Sequence, residues 1–257
     1  MKIKQYREFV LLRIEFQYDP YRRYHQHLNV AIMNVLITGA SGFVGSAVVR
    51  EAILNNRINH IFILALDPQP VYPVGDSKIT ALDYKDIAAA QPDGQLWPLA
   101  GVEACIWSQD ILSHNRNMDL TIATSTDYPL GLLRFLVFRL LPRLPANKNF
   151  RFIFVSGEPT KFGPRSHGRS SSGARYILRQ AERRLFEVDD MHDRLKVVIP
   201  RPGGIIPRKY GRFKATVLSK LLGYIAVDHL ARAIISLALD GSEKRIINAK
   251  ELMDMRA

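Results

Sequence analysis

Residues 38–45 read Thr38-Gly39-Ala40-Ser41-Gly42-Phe43-Val44-Gly45. A short β-branched run at residues 34–38 leads into this glycine turn, and a helical pattern follows it. A strand that ends in a glycine-rich turn and continues into a helix is typical of a parallel α/β sheet. Gly39 allows a sharp turn at the strand end, Gly42 lets a ligand approach the backbone closely, and Gly45 lets the helix pack tightly on the sheet.

Beyond the glycine turn, strands and helices alternate along the chain. Apolar strands are predicted at residues 58–66, 79–82, 102–107, 150–155 and 195–199, and helices at residues 43–54, 120–141, 176–186 and 228–239. Continuous apolar strands that alternate with helices are typical of a parallel sheet that is covered on both faces. We therefore predict an α/β fold, a Rossmann-like doubly wound parallel sheet with helices on both faces.

The glycine turn also predicts a ligand. A helix that begins directly after it offers free N–H groups and a partial positive charge to a diphosphate. Asp67 follows Gly45 by 22 residues and ends the second predicted strand, where a carboxylate can accept hydrogen bonds from both ribose hydroxyls of NAD. We predict a dinucleotide site formed by Gly39, Ser41, Gly42, Phe43, Val44, Gly45 and Asp67. The alternative is a structural turn, with Asp67 a solvated acid at the start of a loop.

Asp67 further favours NAD over NADP as the cofactor. Its negative charge would repel the 2′-phosphate of NADP, and no Arg or Lys follows it at residues 68–70.

Composition bounds the domain organisation. A chain of 257 residues suits one large α/β domain or two small ones. Residues 1–32 are rich in Tyr, Arg, His and Gln, and Met33 stands directly before the first convincing strand. We expect residues 1–32 to be an irregular, disordered or weakly helical N-terminal extension. Residues 33–257 are expected to form a single NAD(P)-binding Rossmann-like domain.

Charge and residue counts exclude several other classes. The formal net charge is +12, and residues 161–184 hold seven basic residues against one acid, a local charge of 7 − 1 = +6. Such a segment attracts phosphates or an anionic partner, whereas a solvated loop and helix face is the simpler interpretation. No zinc-finger spacing or aromatic interleaving supports nucleic-acid binding. No apolar run of ~18 residues predicts a transmembrane segment.

The single cysteine and the histidines predict no metal site. Cys105 excludes an internal disulfide and a cysteine-built zinc site, and its place in a predicted strand favours a buried apolar role. The seven histidines show no metal-ligand spacing beyond the pair His25 and His27, and surface histidines are the simpler account of that pair.

The G-x-x-G-x-x-G spacing resembles the short-chain dehydrogenase/reductase superfamily. The sequence of the glycine turn is similar to that of its atypical and extended branches, which include nucleoside-diphosphate-sugar epimerase-like proteins. Segments that resemble the family in order lie at residues 101–107, 155–157, 201–204 and 227–231. The resemblance implies an NAD(P)-binding oxidoreductase or epimerase-like enzyme, with Ser156 as the active-site serine and Asp83 near the adenine.

One family feature is broken in this sequence. Family enzymes carry a Tyr-x-x-x-Lys motif, in which the tyrosine is the general acid/base and the lysine lowers its pKa. Tyr176 matches the tyrosine, but Gln180 stands at the lysine position. An alignment through residues 181–182 instead places Ala174 and Leu178 at the two positions. The resemblance thus leaves Ser156 and Tyr176 as the catalytic candidates.

Two functions remain open at this stage. The first is an NAD(P)-dependent enzyme on a small substrate, because residues 207–226, where extended members hold a substrate-binding subdomain, form a short segment. The alternative is a non-catalytic dinucleotide-sensing or scaffold module that presents residues 161–184 to a protein or another anionic partner. The apolar helix at residues 120–141 leaves a homodimer open. The default compartment is the cytosol, and mitochondrial association through the basic N-terminus is the alternative.

Overall fold

The structure is a computed structural model that describes residues 32–65, 76–83, 99, 101–109, 122–157, 170–208 and 223–255. Residues 32–257 form one compact unit. The interpretation of residues 1–32 as an extension stays a prediction, because residues 1–31 lie outside the described residues.

The strands follow the predicted alternation closely. They are β1 (Met33–Thr38), β2 (Ile58–Ala65), β3 (Ile79–Asp83), β4 (Val102–Trp107), β5 (Phe150–Phe154), β6 (Leu195–Pro200), β7 (Ile205–Ile206), β8 (Ile225–Ala226) and β9 (Ile246–Ile247). Seven of them form one sheet in the order β3-β2-β1-β4-β5-β6-β9, and every neighbouring pair in it is parallel. Strands β7 and β8 pair separately, also in parallel. The sheet confirms the predicted Rossmann-like fold.

The helices connect these strands. They are α1 (Phe43–Leu54), α2 (Tyr128–Arg139), α3 (Ser170–Asp190), α4 (Val227–Asp240) and α5 (Ala249–Asp254). A π-helical turn, Ala123–Asp127, leads into α2. Pro129 lies in the first turn of α2, directly after this π-helical turn.

Helices cover both faces of the sheet, as predicted. Successive side chains of a strand point to opposite faces, so Val35 and Ile37 pack in a core with α1 and α4. Leu36, between them, packs in a second core with α2 and α3. The sheet is therefore buried on both sides, which explains why its strands are continuously apolar.

The described parts of the chain offer no helix that has both the length and the hydrophobicity to cross a membrane. Within the same ranges, no three His, Cys, Asp or Glu side chains gather into a group that could hold a metal ion.

Candidate functional site

The candidate site lies where the strand order reverses. From β1 the chain builds outward through β2 and β3, and it then returns to place β4 on the other side of β1. Thr38 and Trp107, at the carboxyl ends of β1 and β4, are register partners. In open α/β sheets, ligands bind in the crevice outside the strand ends at such a switch point.

The glycine turn is closed by contacts that exclude larger residues. Gly39 has φ +70°, and a Cβ on it would lie 2.6 Å from the carbonyl oxygen of Ser108. A Cβ on Gly45 would lie 1.9 Å from the carbonyl oxygen of Gly39. The Gly42 N–H donates to that same oxygen at 2.9 Å. The first turn of α1 therefore packs directly against the end of β1, as expected of the third glycine.

The N-terminus of α1 is open to a ligand. Gly42 occupies the N-cap position, where it has no side chain to accept a hydrogen bond from the first-turn amides. Ser41 is exposed and Phe43 is 45% exposed beside it. Free amides and the positive end of the helix dipole fit an anion. The turn therefore fits the diphosphate of a dinucleotide.

A cleft of about 180 Å³ adjoins this helix end. Its lining comes from the start of α1, from the segments after β4, β5 and β6, and from α3: Phe43, Val44, Ser108, Gln109, Val155, Ser156, Gly157, Leu178, Pro202 and Ile205. Two residues predicted to bind the cofactor, Phe43 and Val44, thus share one cleft with the catalytic candidate Ser156.

The cleft does not include Tyr176, the other catalytic candidate. Tyr176 is 66% exposed, whereas Leu178 is buried and lines the cleft. Two residues apart on a helix correspond to a rotation of about 200°, so the two side chains lie on nearly opposite sides of α3. Of the two alignments of the family motif, the one through residues 181–182 places its lysine position, Leu178, at the cleft.

The structure adds one residue that the sequence did not single out. Glu182 is 2% exposed and accepts a hydrogen bond from Ser156 Oγ at 2.7 Å. Arg179 Nη1 donates to its Oε2 at 2.8 Å, and Arg201 contacts both carboxylate oxygens. Burial opposes ionisation of Glu182, but the hydrogen bonds from Arg201, Ser156 and Arg179 outweigh it and hold its pKa below the usual value. The signal in the sequence was that Glu182 is the single acid of the basic segment 161–184.

Of the two acids predicted to lie near the adenosine, the structure describes only the backbone of Asp83. Asp67 lies outside the described residues. The backbone of Asp83 ends β3 and pairs with Ala65 at the end of β2, which places it at the carboxyl edge of the sheet. Roles of Asp67 and Asp83 toward an adenosine stay predictions.

The described arginines at the end of the basic segment 161–184 pair with acids. Besides Arg179, Arg183 Nε lies 3.2 Å from Glu187 and Arg184 Nη1 lies 3.7 Å from Asp127. Such pairing favours a charge-balanced helix face in this part of α3 over an anion-binding surface.

Comparison with solved structures finds the same fold in a reductase domain and in two proteins solved with a nicotinamide dinucleotide. The reductase domain of PhqB from Penicillium fellutanum superposes with a TM-score of 0.56 at 17% identity, over 90% of this chain and 70% of that one. Gre2 from Candida albicans, solved with NADPH, gives 0.57 at 11% identity, over 84% and 77%. WbmF from Bordetella bronchiseptica, solved with NADH, gives 0.53 at 17% identity, over 86% and 72%. The chain shares the fold of these three solved structures.

These matches agree, at the level of fold alone, with the resemblance drawn from the glycine turn. A UDP-N-acetylglucosamine 4-epimerase from Methanobrevibacter ruminantium is among the similar structures, with a TM-score of 0.54 at 17% identity over 85% of this chain and 76% of that one. The structural neighbours thus include both reductases and epimerases. No protein-family model and no curated protein matches the sequence.

Proposed function

We propose that the protein binds a nicotinamide dinucleotide in the cleft and acts as an NAD(P)-dependent oxidoreductase or epimerase-like enzyme on a small substrate. The observation that carries this proposal is the uncapped N-terminus of α1, which the contact between Gly45 and Gly39 holds at the switch point of the sheet. Solved neighbours that hold NADPH and NADH support it.

Within this proposal each predicted residue has a defined task. The backbone of the glycine turn, with Gly39, Ser41, Gly42, Phe43, Val44 and Gly45, holds the diphosphate. Asp67 holds the adenosine ribose and so favours NAD over NADP, and Asp83 lies toward the adenine. A bound nicotinamide supplies hydride transfer, and Ser156 contacts the reacting group from the end of β5. Tyr176, the other catalytic candidate, is 66% exposed and is not among the described residues that line the cleft.

A second candidate function is favoured by the chemistry of the cleft. No Tyr, Lys, His, Asp or Glu is among the described residues that line it, and apolar Leu178 stands where a cation would assist a general acid. A cleft of this kind suits a protein that binds the dinucleotide without turning it over, as a sensing or scaffold module. A protein or other anionic partner, a homodimer and a cytosolic location stay predictions under both candidates.

Calorimetric titration with NAD, NADH, NADP and NADPH tests the dinucleotide site. Gly42→Glu places a carboxylate at the N-cap, where it repels the diphosphate, and we expect it to weaken binding by a factor of about ten or more. Gly131→Glu is the matched control, because it adds the same charge in α2, where a Cβ meets nothing within 4 Å. Absence of binding by all four dinucleotides, or equal affinity in the two variants, would refute the proposed site.

Turnover separates the two candidate functions. The wild-type protein with NADH or NADPH is incubated with a panel of small aldehydes and ketones while nicotinamide absorbance is followed. Cofactor oxidation above the protein-free rate, lost in Gly42→Glu, supports the enzyme. Tight dinucleotide binding with no turnover across the panel favours the sensing module.

A further inference from the structure

The hydroxyl of Ser156 already uses its one proton. Its Oγ donates to Glu182 Oε1 at 2.7 Å, across 26 residues of sequence and between the end of β5 and the middle of α3. A serine hydroxyl has one donor proton and two acceptor lone pairs. With the proton donated to Glu182, only the lone pairs remain for a ligand.

Glu182 accepts this hydrogen bond and does not donate one. Arg201 donates to both of its oxygens and Arg179 to Oε2, so two guanidinium groups surround a single buried carboxylate. These contacts favour the ionised form, which accepts hydrogen bonds and cannot donate them. The direction of the bond from Ser156 to Glu182 is therefore fixed by charge.

The backbone around Ser156 is fixed as well. The Ser156 N–H donates to the carbonyl oxygen of Pro200 at 3.0 Å, and the Val155 N–H donates to that of Trp107 at 2.9 Å. The residue is held between the ends of β4 and β6, and it lines the cleft. A ligand that needed the Ser156 proton would have to break the charge-assisted hydrogen bond to Glu182.

We propose that Glu182 is a positioning residue that keeps Ser156 a hydrogen-bond acceptor, so that the cleft selects a ligand group that donates a hydrogen bond there. The inference rests on the proposed function, because it concerns the reacting end of the same cleft. A donor at this point is either the carboxamide N–H of a nicotinamide or the O–H of an alcohol substrate. A substrate carbonyl oxygen, which offers only lone pairs, is disfavoured at Ser156.

The experiment compares two pairs of ligands of similar size, of which one member carries this donor and the other does not. NAD carries a carboxamide, and 3-acetylpyridine adenine dinucleotide carries a methyl ketone of similar shape without the N–H. Propan-2-ol and acetone, titrated into the NAD complex and followed by NMR, form the second pair. We expect a preference of about tenfold for the donor in one of the pairs, the factor that corresponds to one hydrogen bond.

Two variants test whether the preference for a hydrogen-bond donor depends on Ser156 and on Glu182. Ser156→Ala is expected to abolish it, and Glu182→Gln is expected to reduce it several-fold, because an amide can itself donate to Ser156 and release the serine proton. The matched control is Ser236→Ala in α4. This change removes a serine hydroxyl that donates to Asp240 Oδ2 at 3.4 Å, and Ser236 is not among the described residues that line the cleft. A ratio of two affinities measured on one protein does not depend on its folded fraction, so partial unfolding of Glu182→Gln would leave the ratio unchanged.

The outcomes separate the inference from the function. A preference for NAD that Ser156→Ala abolishes assigns the donor to the cofactor carboxamide, and one for propan-2-ol assigns it to the substrate. Dinucleotide binding with no donor preference in either pair, or a preference that survives Ser156→Ala, overturns the inference alone. Absence of binding by NAD, NADH, NADP and NADPH alike overturns the proposed function and this inference with it.

Discussion

Gly45 packs so closely on Gly39 that a Cβ on Gly45 would lie 1.9 Å from the carbonyl oxygen of Gly39. The same oxygen accepts the N–H of Gly42 at 2.9 Å. One carbonyl group therefore fixes both the turn and the direction from which α1 starts. Because that direction points the helix N-terminus at the cleft, the packing of two glycines and the proposed binding of a diphosphate have the same structural origin.

The first prediction concerns this contact. Gly45→Ala is expected to lower the free energy of unfolding by about 3 kcal/mol or more, because backbone atoms of Gly39 must move to admit the methyl group. Gly131→Ala is the control, since its Cβ would meet nothing within 4 Å and alanine favours a helix interior by about 0.5–1 kcal/mol. Urea unfolding measures both variants. Equal stabilities would show that the glycine turn can relax at little cost.

A second prediction compares two exposed aromatic residues. Phe43 is 45% exposed at the start of α1 and lines the cleft, whereas Tyr176 is 66% exposed and does not. We expect Phe43→Glu to weaken dinucleotide binding about tenfold through repulsion of the diphosphate. Tyr176→Glu is expected to change it less than about twofold. Calorimetry measures the dinucleotide affinity of both variants. A large loss of affinity in Tyr176→Glu would show that Tyr176 lies near the bound dinucleotide.

Much of the fold follows from local sequence. The β-branched run before residues 38–45 and the alternation of apolar strands with helical patterns predict the parallel sheet, because parallel neighbours need a crossover connection. Helices α1, α2 and α3 supply such connections after β1, β4 and β5. The bounds of the six predicted strands agree to within a residue, as for β5, which ends at Phe154 rather than at residue 155. The short strands β7, β8 and β9 were not predicted. The other six strands can be predicted from this alternation because it depends only on residues that are close together in the sequence.

The contacts around Ser156 could not be predicted in this way. Its hydrogen-bond partner Glu182 lies 26 residues away on another element. The buried stripe of α3 includes Leu178, Ala181, Glu182 and Leu185, and a charged residue within such a stripe hides the apolar period from which a helix face is predicted. The sequence also left two alignments of the family motif open, one through Tyr176 and one through residues 181–182, because neither supplies both the tyrosine and the lysine.

A third prediction concerns the pH dependence of stability. The pKa of Glu182 is lower in the folded protein than its usual 4.5. Its ionisation therefore stabilises the fold above that pH, and this stability is lost as pH falls through the lower, folded pKa. We expect Glu182→Gln to be less stable than wild type at neutral pH and to lose less stability on acidification. Unfolding free energies between about pH 7 and about pH 3 measure the difference.

Removal of the carboxylate has a larger cost. Glu182→Ala leaves Arg201, whose side chain is 16% exposed, beside a cavity without its partner. Breaking a buried ion pair in this way costs about 3–5 kcal/mol. Parallel slopes against pH for wild type and Glu182→Gln would contradict a depressed pKa for Glu182, whatever the cost of the alanine variant.

The fourth prediction concerns Cys105, the only cysteine of the chain. Its side chain is fully buried in β4 between Leu36 of β1 and Phe152 of β5, and burial raises the pKa of its thiol far above the ordinary range. A thiolate is needed for alkylation, so we expect iodoacetamide to label the native protein at least on the order of a thousandfold more slowly than the protein in urea. Mass spectrometry of a time course measures both rates, and a single cysteine makes the signal unambiguous. Labelling of the native protein at a comparable rate would mean that the centre of the sheet opens readily, which would contradict the buried core on which the geometry of the cleft depends.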